Sequence, residues 1–164
     1  MFLRKAGHRA FRRPEYRAGT GGNGGNGDRK SILLHLPDDA PRRAVRPRSI
    51  LVVEYSLDGV HSLVLLLREM GHNVEYAING YSALDLAKTF RPDVVLLDLN
   101  LPDLSGFEVC RRLKRQPSLA RTRFIALTAF AQDSYRQAAE AAGCERFFVK
   151  PIDPRTLEKL LEEG

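Results

Sequence analysis

The chain has 164 residues, of which 43% are hydrophobic and 28% charged, and this composition is typical of a globular protein with room for one ordinary domain. No apolar stretch approaches the roughly 18 residues that a membrane-spanning helix needs, so we expect no membrane span. The net charge of +6 is unevenly placed. Residues 1–48 hold 12 Lys or Arg and 4 Asp or Glu, a net charge of +8, whereas residues 49–164 hold 14 and 16, a net charge of −2.

The first 48 residues have the composition of a disordered tail. They contain the Gly/Asn tract TGGNGGNGD at 20–28, and their one apolar segment, 31–37, is too short to bury a core. The arginines are dispersed, which favours a solvated linker over nucleic-acid binding. Residues 1–13 are basic and contain no acidic residue, as in an organellar transit peptide, but the Gly/Asn tract after them is not typical of such a peptide. A start codon assigned too far upstream would give the same pattern.

Regular patterning starts after the tail. The apolar run SILVVE at 49–54 predicts a buried strand. Apolar residues then recur at helical spacing, and Gly71 marks the end of the helix that they predict. The residues of this stripe are Leu57, Val60, Leu63, Val64 and Leu67. A short strand at 73–77 and a helix at 81–90 follow.

The second half of the domain repeats the alternation of apolar strands and amphipathic helices. It predicts a strand at 93–98, a helix at 106–115, a strand at 123–128, a helix at 132–143, a strand at 146–150 and a helix at 154–163. Short apolar strands separated by helices indicate an α/β fold with a parallel sheet covered on both faces. In such a sheet, ligands bind outside the carboxyl ends of the strands.

Polar side chains stand at those carboxyl ends. Glu54 and Tyr55 follow the first strand, Asp98 ends the third, and Thr128 and Lys150 end the fourth and fifth. Each of them singly has an ordinary explanation, such as helix capping or a lysine that snorkels off the sheet. Together they bring carboxylates, a hydroxyl and a positive charge to one crevice. This chemistry suits a phosphoryl group held with Mg²⁺.

Four segments of the domain resemble the receiver domains of two-component response regulators. They are ILVVE at 50–54, RPDVVLLDLNLPDLSGFEVCRRL at 91–113, FIALTA at 124–129 and AAGCERFFVKPIDPRTLEKLL at 141–161. The combination D-x-x-L-P-x-x-x-G, L-T-A and K-P-I-D is specific to this family. The resemblance implies a receiver domain at 49–164 with a flavodoxin-like, doubly wound (βα)5 sheet of strand order 2-1-3-4-5.

The resemblance also implies a role for each matching residue. Asp98 accepts a phosphoryl group from a histidine kinase or phosphotransfer protein. Thr128 hydrogen-bonds that group, and Lys150 pairs first with the acidic site and then with the phosphate. Asn100 offers its backbone carbonyl to the metal. Phe147 is the aromatic switch, which changes rotamer when Thr128 moves.

On this interpretation the apolar strand before Asp98 is a rigid mount for a nucleophile. We expect the Asp98 carboxylate to be exposed at the strand end, its charge offset by Lys150 and a metal ion. The family also has a cis peptide after this lysine, here at Pro151. Pro102 and Gly106 shape the loop that begins at the acceptor.

The sequence departs from the family pattern at Tyr55. Family members usually carry two consecutive acids after the first strand, and the second is a direct Mg²⁺ ligand. A phenol ionises near pH 10 in water, so it offers no anionic oxygen at neutral pH. The metal is then left with Glu54, Asp98 and the carbonyl of Asn100. We therefore predict weak Mg²⁺ binding and slow phosphorylation.

Two functions follow from the resemblance. The first is a phospho-accepting response regulator, which we expect to stand alone because no output domain follows Gly164. It would signal by protein contact through the fourth helix, last strand and fifth helix, a face that also suits a homodimer. The second is a pseudo-receiver, the same fold acting as a binding module insensitive to phosphate.

Two enzyme classes fit the sequence less well. A haloacid-dehalogenase-type phosphatase also places an Asp after an apolar strand, but it needs Asp-x-Asp, and here the second position is Asn100. A dinucleotide-binding oxidoreductase needs Gly-x-Gly-x-x-Gly after the first strand, which is absent. We therefore expect a signalling protein that at most catalyses its own phosphorylation and dephosphorylation.

The cysteines and histidines form no recognisable site. Cys110 and Cys144 make no Cys-x-x-Cys pair, and the four histidines lack the spacing of metal ligands. We expect both cysteines to be reduced structural residues of a cytoplasmic protein.

Overall fold

The computed structural model describes residues 46–163, so all but the last three residues of the predicted tail lie outside the described range. In chain order the elements are β1 Ser49–Val53, α1 Leu57–Glu69, β2 Asn73–Ala77, α2 Gly80–Phe90, β3 Val94–Asp98, α3 Gly106–Lys114, a 3-10 helix Pro117–Leu119, β4 Arg123–Thr128, α4 Asp133–Ala142, β5 Arg146–Val149 and α5 Pro154–Glu162. The predicted alternation is confirmed. Where a predicted boundary differs, it does so by one residue, at the half-helical or half-paired ends of elements. The 3-10 helix was not predicted.

The strands of the described domain form one sheet in the order β2-β1-β3-β4-β5. Each neighbouring pair within residues 46–163 is parallel, which confirms the predicted doubly wound fold. The register places Val53 beside Leu97 and Asp98 beside Leu127. The carboxyl ends of β1, β3 and β4 therefore meet at one edge of the sheet, next to the point where the strand order reverses.

Strand β3 is buried on both faces, and its side chains alternate between two core clusters. Val94 and Leu96 pack with residues of α1 and α5, whereas Val95 and Leu97 pack with residues of α2, α3 and α4. All four are at most 1% exposed. This explains why β3 is an unbroken apolar run in the sequence rather than an alternating one.

The predicted stripe of α1 extends one turn too far. Val60, Val64 and Leu67 are buried, but Leu57 is 68% exposed. Leu57 is the first residue of the helix, a full turn before the first buried position. Helical spacing shows which face of a helix is apolar, but not where the covered part of that face begins. The predicted helix end is confirmed, because Gly71 follows the last helical residues with a positive φ of 91°.

Within residues 46–163, no helix combines the length and apolar character needed to cross a bilayer.

Gly106 begins α3 where the loop from Asp98 folds back against the end of β3. A Cβ at this position would lie 2.3 Å from the carbonyl oxygen of Asp98 and 2.7 Å from Cα of Leu99. Both are backbone atoms, so relief requires a shift of the chain that carries Asp98. We expect Gly106→Ala to lower the free energy of unfolding by about 1–3 kcal/mol, measured by urea denaturation. Leu65→Ala, at a 48% exposed position of α1, is the control and should change it by less than about 0.5 kcal/mol. Equal losses in the two variants would contradict the steric explanation.

Candidate functional site

Three charged side chains meet at the carboxyl edge of the sheet. Asp98 ends β3, Glu54 follows β1 and Lys150 follows β5. The Nζ of Lys150 donates hydrogen bonds to Oδ2 of Asp98 at 2.7 Å and to Oε2 of Glu54 at 2.5 Å. In the strand order, β4 lies between β5 and β3, and both β4 and β3 lie between β5 and β1, so the long side chain of Lys150 reaches past one strand end to Asp98 and past two to Glu54.

Backbone N–H groups hold the other oxygens of the two carboxylates. The N–H of Asn100 donates to Oδ1 of Asp98 at 2.9 Å, and the N–H of Ser56 donates to Oε1 of Glu54 at 3.0 Å. Every carboxylate oxygen of the pair therefore has a hydrogen-bond donor. Charge-assisted bonds of this kind hold each carboxylate in one orientation.

The expectation that Asp98 is exposed is wrong. Asp98 is 6% exposed and Glu54 is 7% exposed, while the side chain of Lys150 is 29% exposed. Both acids are buried, and Lys150, their counter-ion, is only partly exposed; the sequence pattern did not reveal how far this side chain reaches.

Burial and hydrogen bonding shift the pKa values of Asp98 and Lys150 in opposite directions. Burial raises the pKa of Asp98 above its usual range, although the hydrogen bonds from Lys150 and Asn100 lower it in part. Burial also disfavours the charged form of Lys150, but its bonds to Asp98 and Glu54 outweigh burial, so the pKa of Lys150 is raised. The lysine therefore stays cationic and supplies the charge that the two acids need.

Thr128 lies at the same edge and is fully buried. It directly follows Leu127, the β4 residue paired with Asp98. Its hydroxyl accepts a hydrogen bond from the N–H of Phe130 at 3.2 Å, and its carbonyl accepts one from the N–H of Lys150 at 2.7 Å. Thr128 thus holds the turn after β4 and the backbone of Lys150 in place. Among the described residues, its hydroxyl makes no hydrogen bond to Asp98.

Phe147 lies away from the strand end, in β5 beneath α4. It is half-buried against the core cluster that contains residues of α3 and α4. The guanidinium of Arg136, on α4, lies over its ring at 5.3 Å from the centroid. The peptide between Lys150 and Pro151 is cis, as predicted.

Tyr55 directly follows Glu54, and its side chain is largely exposed to solvent. It is 60% exposed, and in the described part of the chain its hydroxyl is not among the hydrogen-bond partners of Asp98. Position 55 therefore contributes neither a carboxylate nor a hydrogen bond to Asp98.

The oxygen donors at this sheet edge are of the type that binds Mg²⁺. Carboxylate and carbonyl oxygens are the ligands that Mg²⁺ prefers, and Glu54, Asp98 and the carbonyl of Asn100 are of this type. No cluster of three or more His, Cys, Asp or Glu side chains in residues 46–163 has metal-binding geometry, so the side chains contribute at most this pair of acids. A metal ion would also share both carboxylates with Lys150.

Asp103, in the loop after Asp98, has a structural role that the sequence did not reveal. Its carboxylate accepts hydrogen bonds from the N–H groups of Gly80 at 2.8 Å and Tyr81 at 2.9 Å. It thereby caps α2 from a loop 23 residues further along the chain and anchors the acceptor loop to that helix. Capping patterns in a sequence are local, so no spacing rule reveals this contact.

Comparison with known proteins agrees with this geometry. Residues 50–162 match the family described as the response regulator receiver domain. The polar-differentiation response regulator DivK of Brucella anthropi is 36% identical over 115 residues, which cover 70% of this chain and 94% of that protein.

Solved structures show the same fold. The chemotaxis protein CheY4 of Vibrio cholerae superposes with a TM-score of 0.68 at 31% identity, covering 71% of this chain and 98% of that chain. The receiver domain of the sensor histidine kinase PA1611 of Pseudomonas aeruginosa, solved with a magnesium ion in its active-site cleft, superposes with a TM-score of 0.66 at 30% identity. It covers 71% of this chain and 96% of that chain. With its parallel sheet, its acidic cluster and these matches, the chain belongs to the receiver domain family of two-component response regulators.

Proposed function

We propose that this protein is a cytoplasmic response regulator that accepts a phosphoryl group on Asp98 from a histidine kinase or phosphotransfer protein. The observation that carries this proposal is the cluster at the sheet edge, where Asp98 ends a rigid buried strand and Lys150 Nζ lies 2.7 Å from its carboxylate. The test is incubation with acetyl phosphate, and with candidate phosphorylated kinases, followed by mass spectrometry that locates the modified residue.

The residues of the cluster supply positioning and charge for this transfer. An oxygen of Asp98 attacks phosphorus, an O–P bond forms, and the bond from phosphorus to the donor's histidine nitrogen breaks. The ammonium of Lys150 is close enough to follow the new negative charge, and Thr128 offers a hydroxyl next to the acceptor strand. When Mg²⁺ is bound, held by Glu54, Asp98 and the carbonyl of Asn100, it offsets the charge of the phosphoryl oxygens.

An apolar groove beside the cluster supports docking of the phosphodonor protein. A cavity of about 390 Å³ lies between α1 and the segment after β5, next to Glu54 and Lys150. Its apolar lining consists of Leu63, Leu66, Leu127, Pro151 and Ile152. A protein that covers this groove would exclude water from the site while it presents its phosphohistidine to Asp98.

We place the outgoing contact, or a homodimer contact, on the face formed by α4, β5 and α5. β5 is the edge strand here, and Val149 at its end is 40% exposed. Phe147 lies under this face, packed by Arg136. A change in the position of Phe147 would therefore alter the surface that a target or second copy meets.

A phosphate-insensitive binding module remains the second candidate, and one observation favours it. Lys150 already occupies a bridging position between Glu54 and Asp98, so the acidic cluster has an internal cation. Tyr55 adds no anion. If acetyl phosphate and kinases both fail to label Asp98 while the fold is intact, this second function is the correct one.

Replacing Lys150 tests the charge balance of the cluster. In Lys150→Ala, Glu54 and Asp98 lose their buried counter-ion, so we expect the pKa of Asp98 to rise further, since protonation removes the repulsion. We expect the fold to persist and the response to phosphorylation to weaken. Carboxyl-carbon NMR titration measures the first effect, and amide chemical-shift changes on phosphorylation measure the second. Lys159→Ala, an exposed lysine of α5, is the control and should leave both unchanged. An unchanged pKa of Asp98 in Lys150→Ala would contradict the proposed role.

A further inference from the structure

Cys110 and Cys144 are neighbours in the fold although they lie 34 residues apart. Cys110 is on α3, and Cys144 follows Gly143, the residue that ends α4. Their sulfur atoms are 3.6 Å apart, and the thiol of Cys144 donates a hydrogen bond to the sulfur of Cys110. Both thiols are free. Two thiols at this distance can form a bond with a small movement of either segment.

The pair is buried but reachable by a small molecule. Cys110 is fully buried, whereas Cys144 is 6% exposed and borders a cavity of about 430 Å³ between α4 and β5. Phe147 and Arg136 line the same cavity. A peroxide molecule is far smaller than this volume, so the cavity can bring it next to Cys144.

The hydrogen bond between the two thiols favours Cys110 as the thiolate of the pair, because the same bond, together with burial, raises the pKa of Cys144. The hydrogen bond from Cys144 lowers the pKa of the Cys110 thiol more than burial raises it, and the positive charge of Lys114 acts in the same direction. The ammonium of Lys114 is held nearby, over the ring of Phe124 at 4.9 Å from the centroid.

We propose that Cys110 and Cys144 form a reversible oxidation site that a peroxide closes to an intramolecular disulfide. The sulfur of Cys144, the cysteine that borders the cavity, attacks a peroxide oxygen, the O–O bond breaks, and this sulfur becomes S–OH as water leaves. The other sulfur then attacks this sulfur, the S–S bond forms, and the hydroxyl leaves as a second water with the last thiol proton. The pair loses two electrons and two protons, which the peroxide gains.

The disulfide would connect α3 to the segment between α4 and β5. An S–S bond is about 2.05 Å long, so the two sulfurs must approach by roughly 1.5 Å from their present separation. Cys144 precedes Phe147 by three residues, and both border the cavity at α4 and β5. Oxidation therefore acts on the α4 and β5 region without passing through Asp98. In a reducing compartment such a bond is transient, as expected of a redox sensor.

The experiment uses the full-length reduced chain and hydrogen peroxide. After removal of peroxide, the protein is unfolded in urea, alkylated with iodoacetamide and mapped by mass spectrometry. We expect loss of both alkylatable thiols, a cross-linked peptide that contains Cys110 and Cys144 within the monomer, and recovery of both thiols with dithiothreitol. Two alkylated cysteines, two sulfinic or sulfonic cysteines, or cross-links between chains alone would each overturn the proposal.

Two controls separate proximity in the fold from general thiol reactivity. Protein unfolded in urea before peroxide is added should cross-link at least about tenfold more slowly, because the thiols are no longer held together. Cys110→Ser should leave Cys144 as an uncoupled S–OH that a dimedone probe traps. Equal cross-linking rates in folded and unfolded protein would overturn the proposal. Neither readout involves phosphoryl transfer, so these results do not depend on the proposed function.

Discussion

Asp98→Asn is expected to abolish labelling of the protein by acetyl phosphate and by phosphorylated kinases. The amide has nearly the shape of the carboxylate, but only its oxygen accepts, so it can keep the hydrogen bond from Lys150 or the one from the N–H of Asn100, not both. It lacks the anionic oxygen that attacks phosphorus, so the fold should remain while the chemistry is lost. We expect the rate of labelling to fall by at least about a hundredfold, to the background labelling of other residues.

The measurement is phosphoprotein content after timed incubation with acetyl phosphate and Mg²⁺, with circular dichroism as the check on folding. Asp85→Asn is the matched control, because Asp85 is an exposed carboxylate of α2 that pairs with Lys88 rather than with the acidic cluster. It should label at close to the native rate. Stable aspartyl phosphate on the Asp98→Asn variant would show that another carboxylate is the acceptor.

The fold could be predicted from the sequence because its helices and strands have clearly different hydrophobic patterns. The buried residues of α1 recur at helical spacing, and β3 is an uninterrupted apolar run because both of its faces are covered. The alternation of such segments leaves few arrangements other than a parallel sheet with helices on both faces. The strand order came from the family motifs rather than from periodicity, and Leu57 shows where periodicity stops being informative.

The composition of the site could be predicted for a topological reason. Parallel strands end at a common edge, so residues directly after β1, β3 and β5 come together whatever their separation in the chain. This rule brought Glu54, Asp98 and Lys150 to one place, and the structure shows all three in contact.

The remaining features depend on distances that no sequence pattern carries. The burial of Asp98 follows from the reach of Lys150 across β4. The cap that Asp103 provides for α2 spans 23 residues, and the contact between Cys110 and Cys144 spans 34. Each of these contacts joins helices or loops that are distant in the sequence, so the spacing of neighbouring residues does not predict it.

The ammonium group of Lys150 explains how Glu54 and Asp98 can stay paired when position 55 carries a tyrosine in place of the acid usual in the family. Two buried carboxylates need positive charge close to them, and Lys150 supplies it through bonds to Glu54 and Asp98. A third acid at position 55 would change the formal charge of the cluster from −1 to −2, which a divalent cation could then neutralise. The native cluster is closer to balance without a metal.

Tyr55→Asp should therefore tighten Mg²⁺ binding and speed phosphorylation by acetyl phosphate. The native side chain is 60% exposed, so its replacement removes little packing and returns an anionic oxygen next to Glu54 and Asp98. Each added carboxylate strengthens a Mg²⁺ site, and we expect affinity to rise on the order of tenfold, with faster labelling at limiting Mg²⁺. Without Mg²⁺, repulsion among three neighbouring acids should lower the thermal midpoint of the variant.

A Mg²⁺ titration followed by NMR, paired with timed labelling by acetyl phosphate, decides this prediction. Tyr76→Asp is the control, since it makes the same chemical change at another exposed tyrosine, in β2 rather than beside the acidic cluster. Tyr76→Asp should bind Mg²⁺ with the native affinity and be labelled at the native rate. A higher affinity and rate in Tyr55→Asp alone would then be due to the position of the new carboxylate and not to the added charge. If the native protein already binds Mg²⁺ as tightly and labels as fast as Tyr55→Asp, Tyr55 does not weaken the site. Glu54, Asp98 and the carbonyl of Asn100 would then suffice for the metal, and Lys150 must give up its bridging position when Mg²⁺ binds.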